Sequence, residues 1–318
     1  MKGLFEEIAL APSLFLGTAD TPDTEAHLRE LYPYLHRGLS VLDLRDGEWS
    51  QTLRGAIGLS KAGQAFLIQL KKNGQIATTP KTSAQLVGRD DDAWHREAAR
   101  VAERHAIHAF FQAHRTGNEE GTPPPRITTS EASAHIASEP SSTIPRTPSG
   151  WCDFLTSVIL RTRSMEIIDP YLNPESGRYR HLGKTIVDAL HRARPGQGLR
   201  LHLHCKPTDL DDTRSGGAHE ALARLWSDRM NHSWGPQFRR HGISAHVTLW
   251  DDLREQHDRY ILTERFGLFF TNGFDVSGDS SQEKNVEASL LNSARFEALS
   301  KRHSYHAHKN EARCRGHF

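Results

Sequence analysis

His257 and Arg259 stand two residues apart in the run His257-Asp258-Arg259-Tyr260-Ile261-Leu262-Thr263-Glu264, and Thr271-Asn272-Gly273 follows shortly after. The stretch reads as two β-strands joined by a tight turn. Residues two apart on a strand point to the same side, so an imidazole would sit beside a permanent cation. That pairing suits a phosphodiester. The imidazole can attack phosphorus or protonate a leaving group, while the guanidinium holds the oxyanion. Asp258 points to the other side and is read as structural.

Composition bounds what else the chain can be. Its 318 residues suggest two domains. With 36% hydrophobic residues it has enough for an ordinary core, and no apolar run approaches the ~18 residues of a spanning helix. The start, Met1-Lys2-Gly3-Leu4-Phe5, lacks the basic-then-apolar pattern of a signal peptide. Cys152, Cys205 and Cys314 are odd in number and widely spaced, which argues against a disulfide frame or a zinc finger and for a reducing, cytoplasmic setting. No metal or cofactor is expected. The net charge of +1 creates no global field, so an anion site must be a local patch.

The elements that must position these residues fall into two regions. Residues 116–150 are rich in Ser, Thr and Pro and read as a linker, because such a segment buries too little apolar surface to offset its ordering entropy. Before it, residues 1–115 read as a small, mostly helical domain, with helices over Thr24–His36, Ser60–Gly74 and Asp92–Arg115. The second of these and the following Gln75–Thr78 form either an ordinary packing unit or a recognition helix with a wing. After the linker, residues 151–303 alternate strand and helix. Strands are expected in Met165–Leu172, ending at Pro170, and at Leu199–Cys205, Ile243–Trp250, Arg259–Thr263, Gly267–Thr271 and Val286–Leu291. Helices are expected at Leu182–Arg194, Ala218–His241 with a break near Gly235-Pro236, and Ala294–Lys301. This alternation means an α/β layered sheet. Residues 304–318 form a basic, His-rich tail.

The hairpin resembles the signature of the phospholipase D superfamily, H-x-K-x4-D followed by a small-residue turn with Asn. Here it stands as His257-x-Arg259-x4-Glu264, then Thr271-Asn272-Gly273. The order Asp169-Pro170-Tyr171, helix, strand, helix, strand, His257-Asp258-Arg259 is similar to the phospholipase D-like C-terminal domain (MIT_C type) of MIT-domain proteins and their bacterial relatives. The resemblance covers roughly residues 160–303. It implies a phospholipase D-like layered sheet flanked by helices and a metal-independent phosphodiesterase. His257 would be the nucleophile or its general-acid partner. Arg259 and Asn272 would clamp the phosphate, and Glu264 would orient the imidazole. The bacterial relatives imply a nuclease in a defence-type system.

Two departures pull the other way. Arg replaces Lys and Glu replaces Asp, and both also fit a domain that grips phosphate on nucleic acid or an anionic lipid without cleaving it. The MIT-type relatives are binders of anionic surfaces. Catalysis of this kind also needs a second histidine. His204-x-Lys206-x4-Asp211 matches the motif literally, but it runs into Pro207 with no hairpin. His204 is therefore either a solvated strand end or part of a phosphate site at the sheet's carboxyl edge. If it is not in the site, the second histidine comes from another copy of the chain, which implies a homodimer with sites meeting at the two-fold axis. Asp169 either faces the cleft or caps its turn. The N-terminal region would dock a partner protein.

Overall fold

The computed structural model describes residues 4–16, 24–32, 38–56, 59–83, 85, 86, 88, 90–104, 107–113, 123–132, 141–206, 218–250, 258–274, 276, 285–303 and 314–317. The chain divides into an N-terminal unit, Lys2–Pro140, and a C-terminal unit, Ser141–Phe318.

The N-terminal unit is built on five parallel strands: β1 (Glu7–Leu10), β2 (Ser40–Asp43), β3 (Ile76–Thr78), β4 (Ala109–Gln112) and β5 (Arg126–Thr128), in the order β3-β2-β1-β4-β5. Helices α1 (Thr24–Leu31), α2 (Leu44–Gly55), α3 (Lys61–Lys72) and α4 (Asp91–Ala102) belong to the same unit. The expectation of a mostly helical domain is thereby corrected to α/β. The physical reason is burial on both faces. β2 and β4 are buried at every position, so neither shows the period-two alternation that marks a strand. β4 lies inside the expected helix Asp92–Arg115, which ends at Ala102. The segment Ile76–Thr78 is a sheet strand rather than a wing.

Part of the expected linker is also structured. Arg126–Thr128 is β5, and Ser141–Pro145 is β6, paired antiparallel with β12 (Asn285–Leu290). Thr143 and Ile144 supply β-branched residues, and Pro145 is tolerated because β6 is an edge strand. Ile144 is fully buried.

The C-terminal unit holds an eight-stranded sheet in the order β13-β9-β8-β7-β10-β11-β12-β6. The remaining strands are β7 (Ser164–Ile168), β8 (Leu199–Cys205), β9 (Ile243–Leu249), β10 (Arg259–Thr263), β11 (Gly267–Phe270) and β13 (Cys314–His317). β7, β8 and β9 are parallel, and the other neighbours pair antiparallel. Helices α5 (Pro148–Ile159), α6 (Gly177–Ala193), α7 (Ala218–Ser233), α8 (Gly235–Arg240) and α9 (Ser293–His303) flank it. The layered α/β architecture read from the sequence is what this unit has. The tail contributes β13 on the edge of β9.

Register separates the two faces of this sheet. Ile167, Leu203, Val247, Ile261 and Leu268 are cross-strand partners on one face, and all are buried. Ile168, His204, Thr248 and Tyr260 share the other. On that second face Ile168, Tyr260 and Leu262 pack with Trp250, Leu291 and, from α9, Phe296 and Leu299. Gly183 of α6 lets Trp234, between α7 and α8, approach so closely that a Cβ would lie 2.6 Å from its ring.

Candidate functional site

Because β7 and β10 are antiparallel with Tyr260 opposite Ile168, the next pair outward is Arg259 beside Asp169. This places them at the carboxyl edge of β7, β8 and β9, where open α/β sheets bind ligands. Asp169 is fully buried. Its Oδ1 accepts from the Tyr171 amide at 2.9 Å and lies 3.6 Å from Arg259 Nε. Its Oδ2 accepts from Tyr179 Oη of α6 at 2.9 Å and from the Phe274 amide at 3.3 Å. Burial pushes the carboxyl up, while the Tyr171 amide, Arg259, Tyr179 and the Phe274 amide favour the charged form. With its oxygens so occupied, Asp169 is an internal anchor. It ties the turn after β7, helix α6, the segment after β11 and Arg259 to one point.

Arg259 lies with its guanidinium 5.3 Å from the Tyr171 ring centroid, and Lys206 Nζ is 4.4 Å from the same centroid. One aromatic ring therefore gathers two cations at the sheet edge, within cation–π range. Lys206 is the residue after β8, and its amide bonds to the Pro170 carbonyl at 3.3 Å. A planar fork and a point charge, both held on one ring, are groups suited to the non-bridging oxygens of a phosphate. Asn272, exposed, follows the end of β11 at this edge and donates to Thr271 Oγ1 at 3.5 Å. His257 lies outside the described residues. Asp258 accepts from Tyr260 Oη at 2.7 Å and from Arg295 at 3.0 Å.

Two expected site residues lie elsewhere. Glu264 sits in the β10–β11 turn, at the end of β10 opposite Arg259. Its partners are Thr162 Oγ1 and Arg200, whose Nη2 is 3.8 Å away. Five strand residues at about 3.3 Å each put it about 15 Å or more from the start of the strand. Because β10 runs from Arg259 to Thr263, the carboxylate is carried to the other edge.

His204 is on the second face, opposite Ile168 rather than Asp169. Its Nδ1 accepts from Trp250 Nε1 at 2.9 Å, and its ring stacks near His202 and His303. It is fully buried and faces away from Asp169 and Arg259. A one-residue offset on a strand decided this. Tyr171, Tyr179 and Lys206 are site residues that sequence reasoning did not assign. The signal available for Lys206 and Tyr171 was their position one and three residues past a strand end.

The N-terminal unit has a concavity of its own, a cleft of about 1050 Å³ lined by Arg45, Glu48, Gln51, Thr52, Lys81 and Gln85 among others. Arg45, Asp46 and Gly47, one residue beyond the end of β2, adopt φ of 60°, 56° and 88°. Two non-glycine residues in this region cost about 1 kcal/mol or more each. The turn is held by Asp46 N donating to Thr79 O at 2.7 Å and by Ser50 N donating to Asp43 Oδ1 at 3.0 Å. The buried Arg45 pairs with Glu48 at 3.0 Å and Glu97 at 3.5 Å, and bonds Ser83 Oγ at 2.8 Å. These contacts bind the cleft wall to itself.

Among the described residues no group of three or more His, Cys, Asp or Glu is arranged to hold a metal ion, and no helix is long and apolar enough to cross a membrane. No family model matches the chain, and no curated protein matches it. Among solved structures, it is similar to a phospholipase D family member, Nuc, from Salmonella typhimurium, at 13% identity and a TM-score of 0.30, covering 52% of this chain and 91% of that one. It is also similar to phosphatidylserine synthase from Haemophilus influenzae, at 11% identity and a TM-score of 0.28, covering 77% of this chain and 51% of that one. Polyphosphate kinase from Porphyromonas gingivalis matches at 9% identity and a TM-score of 0.27, covering 95% of this chain and 42% of that one. At these values the likenesses assign no activity.

Proposed function

We propose that the C-terminal unit is a metal-independent phosphodiesterase acting on nucleic acid, with its site at the carboxyl edge of the sheet. The observation that supports this reading is Arg259, paired with the buried Asp169 and sharing the Tyr171 ring with Lys206. Arg259 and Lys206 hold the non-bridging oxygens and offset the charge that grows on them in the transition state. His257, two positions before Arg259, attacks phosphorus. The P–O bond to the leaving group breaks, and the leaving oxygen takes a proton from a general acid. Water then cleaves the phosphohistidine. Asn272 adds a donor from the neighbouring loop. The proposal extends to a cytoplasmic bacterial defence-type system in which the N-terminal unit docks a partner protein. A neighbouring gene product that fails to co-purify would count against that setting.

The test is a time course on labelled single- and double-stranded DNA and RNA in EDTA, beside His257→Ala and Arg259→Ala. Cleavage that survives chelation and drops by about 10³-fold or more in His257→Ala is expected. Cleavage abolished by EDTA overturns the mechanism.

A second reading has its own observation. His204 is buried on the opposite face, so it cannot serve as the second histidine. Either a second copy of the chain supplies it, as a homodimer, or the site binds phosphate on nucleic acid or anionic lipid without turnover. Salt-sensitive binding that needs Arg259, with no cleavage of any substrate, would select the binding module.

A further inference from the structure

The cleft of the N-terminal unit lies at one edge of its sheet. Pro12 and Leu16 follow β1, Arg45 and Asp46 follow β2, and Lys81, Gln85 and Leu86 follow β3. These three strands are parallel neighbours, so the cleft lies beyond their carboxyl ends, the edge at which doubly wound sheets take ligands. Helix α2 and its C-cap add Gln51 and Ala56. The volume, about 1050 Å³, is that of a small-molecule site, for which about 300–1,000 Å³ is usual.

The cations of this cleft are paired. Arg45 is bound to Glu48 and Glu97, and Lys81 Nζ lies 3.8 Å from Glu48. Its acceptor is not. Asp46 is exposed, and its carboxylate has no hydrogen-bond or ion-pair partner among the described residues. The side-chain amides of Gln51 and Gln85, also exposed, have none either among those residues. The backbone that carries Asp46 is fixed. Its left-handed φ of 56° is held by the bond from its own amide to Thr79 O and by the buried Arg45 beside it; such a conformation persists only where its surroundings over-determine it. The apolar part of the lining is Pro12, Leu16, Ala56 and Leu86, of which Leu16 and Leu86 pack against the core.

We propose that this cleft binds a ribonucleoside moiety, with Asp46 on the ribose. The two oxygens of one carboxylate can accept both hydroxyls of a vicinal diol. An amide offers a donor and an acceptor, the pattern that a base edge requires, and the apolar residues take the flat faces of the base. A bare sugar would leave the apolar lining without a use, and a polyanion would meet cations already engaged. The inference is independent of the phosphodiesterase reading, which concerns the C-terminal unit.

The experiment is isothermal titration calorimetry of the full chain with adenosine, guanosine, cytidine and uridine, each beside its 2′-deoxy form. At least one ribonucleoside binds with a Kd below about 1 mM, and its 2′-deoxy form binds about tenfold more weakly. Asp46→Asn puts in a residue that tolerates the left-handed turn; it weakens the ribonucleoside about tenfold and erases the preference over the deoxy form. Gln51→Ala, at an exposed helical position, keeps the wild-type melting temperature and weakens binding about threefold, so the inference is decided even where Asp46→Asn unfolds. Titration with the 5′-monophosphate of the same base then names the source: tighter binding than the nucleoside identifies a nucleotide, weaker binding a free nucleoside. Failure of all four ribonucleosides to bind below about 1 mM overturns the inference. So does equal affinity for ribo and deoxy forms, D-ribose binding as tightly as the nucleoside, or wild-type affinity in both variants.

Discussion

Glu166 shows how a single side chain makes stability depend on pH. It faces His202 across the β7–β8 pair and lies 3.6 Å from His204 Nε2. His246, Thr248, Trp250 and, from α9, His303 complete the polar cluster on this face. Burial pushes the Glu166 carboxyl up from 4.5 to about 7, aided by Glu264 and opposed by His202. A carboxyl raised on folding binds its proton more tightly in the folded chain, so its contribution is fully present below about 4.5 and is lost as pH rises through about 7. That rise corresponds to at most about 3 kcal/mol. Relative to wild type, Glu166→Gln should therefore gain stability steadily between pH 5 and 8. Urea unfolding at several pH values checks this; parallel curves for the two proteins would show that Glu166 is not the titrating group. The residue scale also shows the limit of motif spacing. Arg259 begins β10, but the length of that strand carries Glu264 to the other edge and the register of β8 turns His204 to the other face.

At the scale of elements, close packing overrides propensity. Gly183 sits inside α6, where Ala would ordinarily add about 1 kcal/mol. Its Cβ would meet Trp234 at 2.6 Å, and overpacking of this kind costs about 1–3 kcal/mol. Gly183→Ala should therefore lower the melting temperature, measured by circular dichroism; a rise would mean that Trp234 yields freely. Leu199–Cys205 was legible because its leucines alternate with polar residues, and Arg259–Thr263 because an aromatic and β-branched run ends there in a turn. β1, β2 and β4 were not, because parallel strands buried on both faces look like fragments of buried helix.

For the whole molecule, the boundary between units falls at Pro140–Ser141. The fragment 141–318 should unfold in one cooperative transition. A fragment starting at residue 151 loses β6, which covers the edge of β12 from Asn285 to Ser289, and Thr147, whose hydroxyl caps α5 at Gly150 N. An uncovered edge invites pairing with other chains, so the shorter fragment should melt lower and aggregate. Calorimetry and light scattering on both fragments check this, and equal behaviour would show β6 to be dispensable.

By itself the sequence determined that there are two regions, that the second is a layered α/β sheet, and that Arg259 stands at the start of a strand with chemistry suited to phosphate. These follow from local periodicity and residue type. Only the tertiary structure decided that Asp169 anchors Arg259, that Tyr171 and Lys206 join it, and that His204 and Glu264 do not. Those facts depend on strand register and on which edge each strand end reaches. Both are set by pairing between segments far apart in the chain, and no local pattern encodes them.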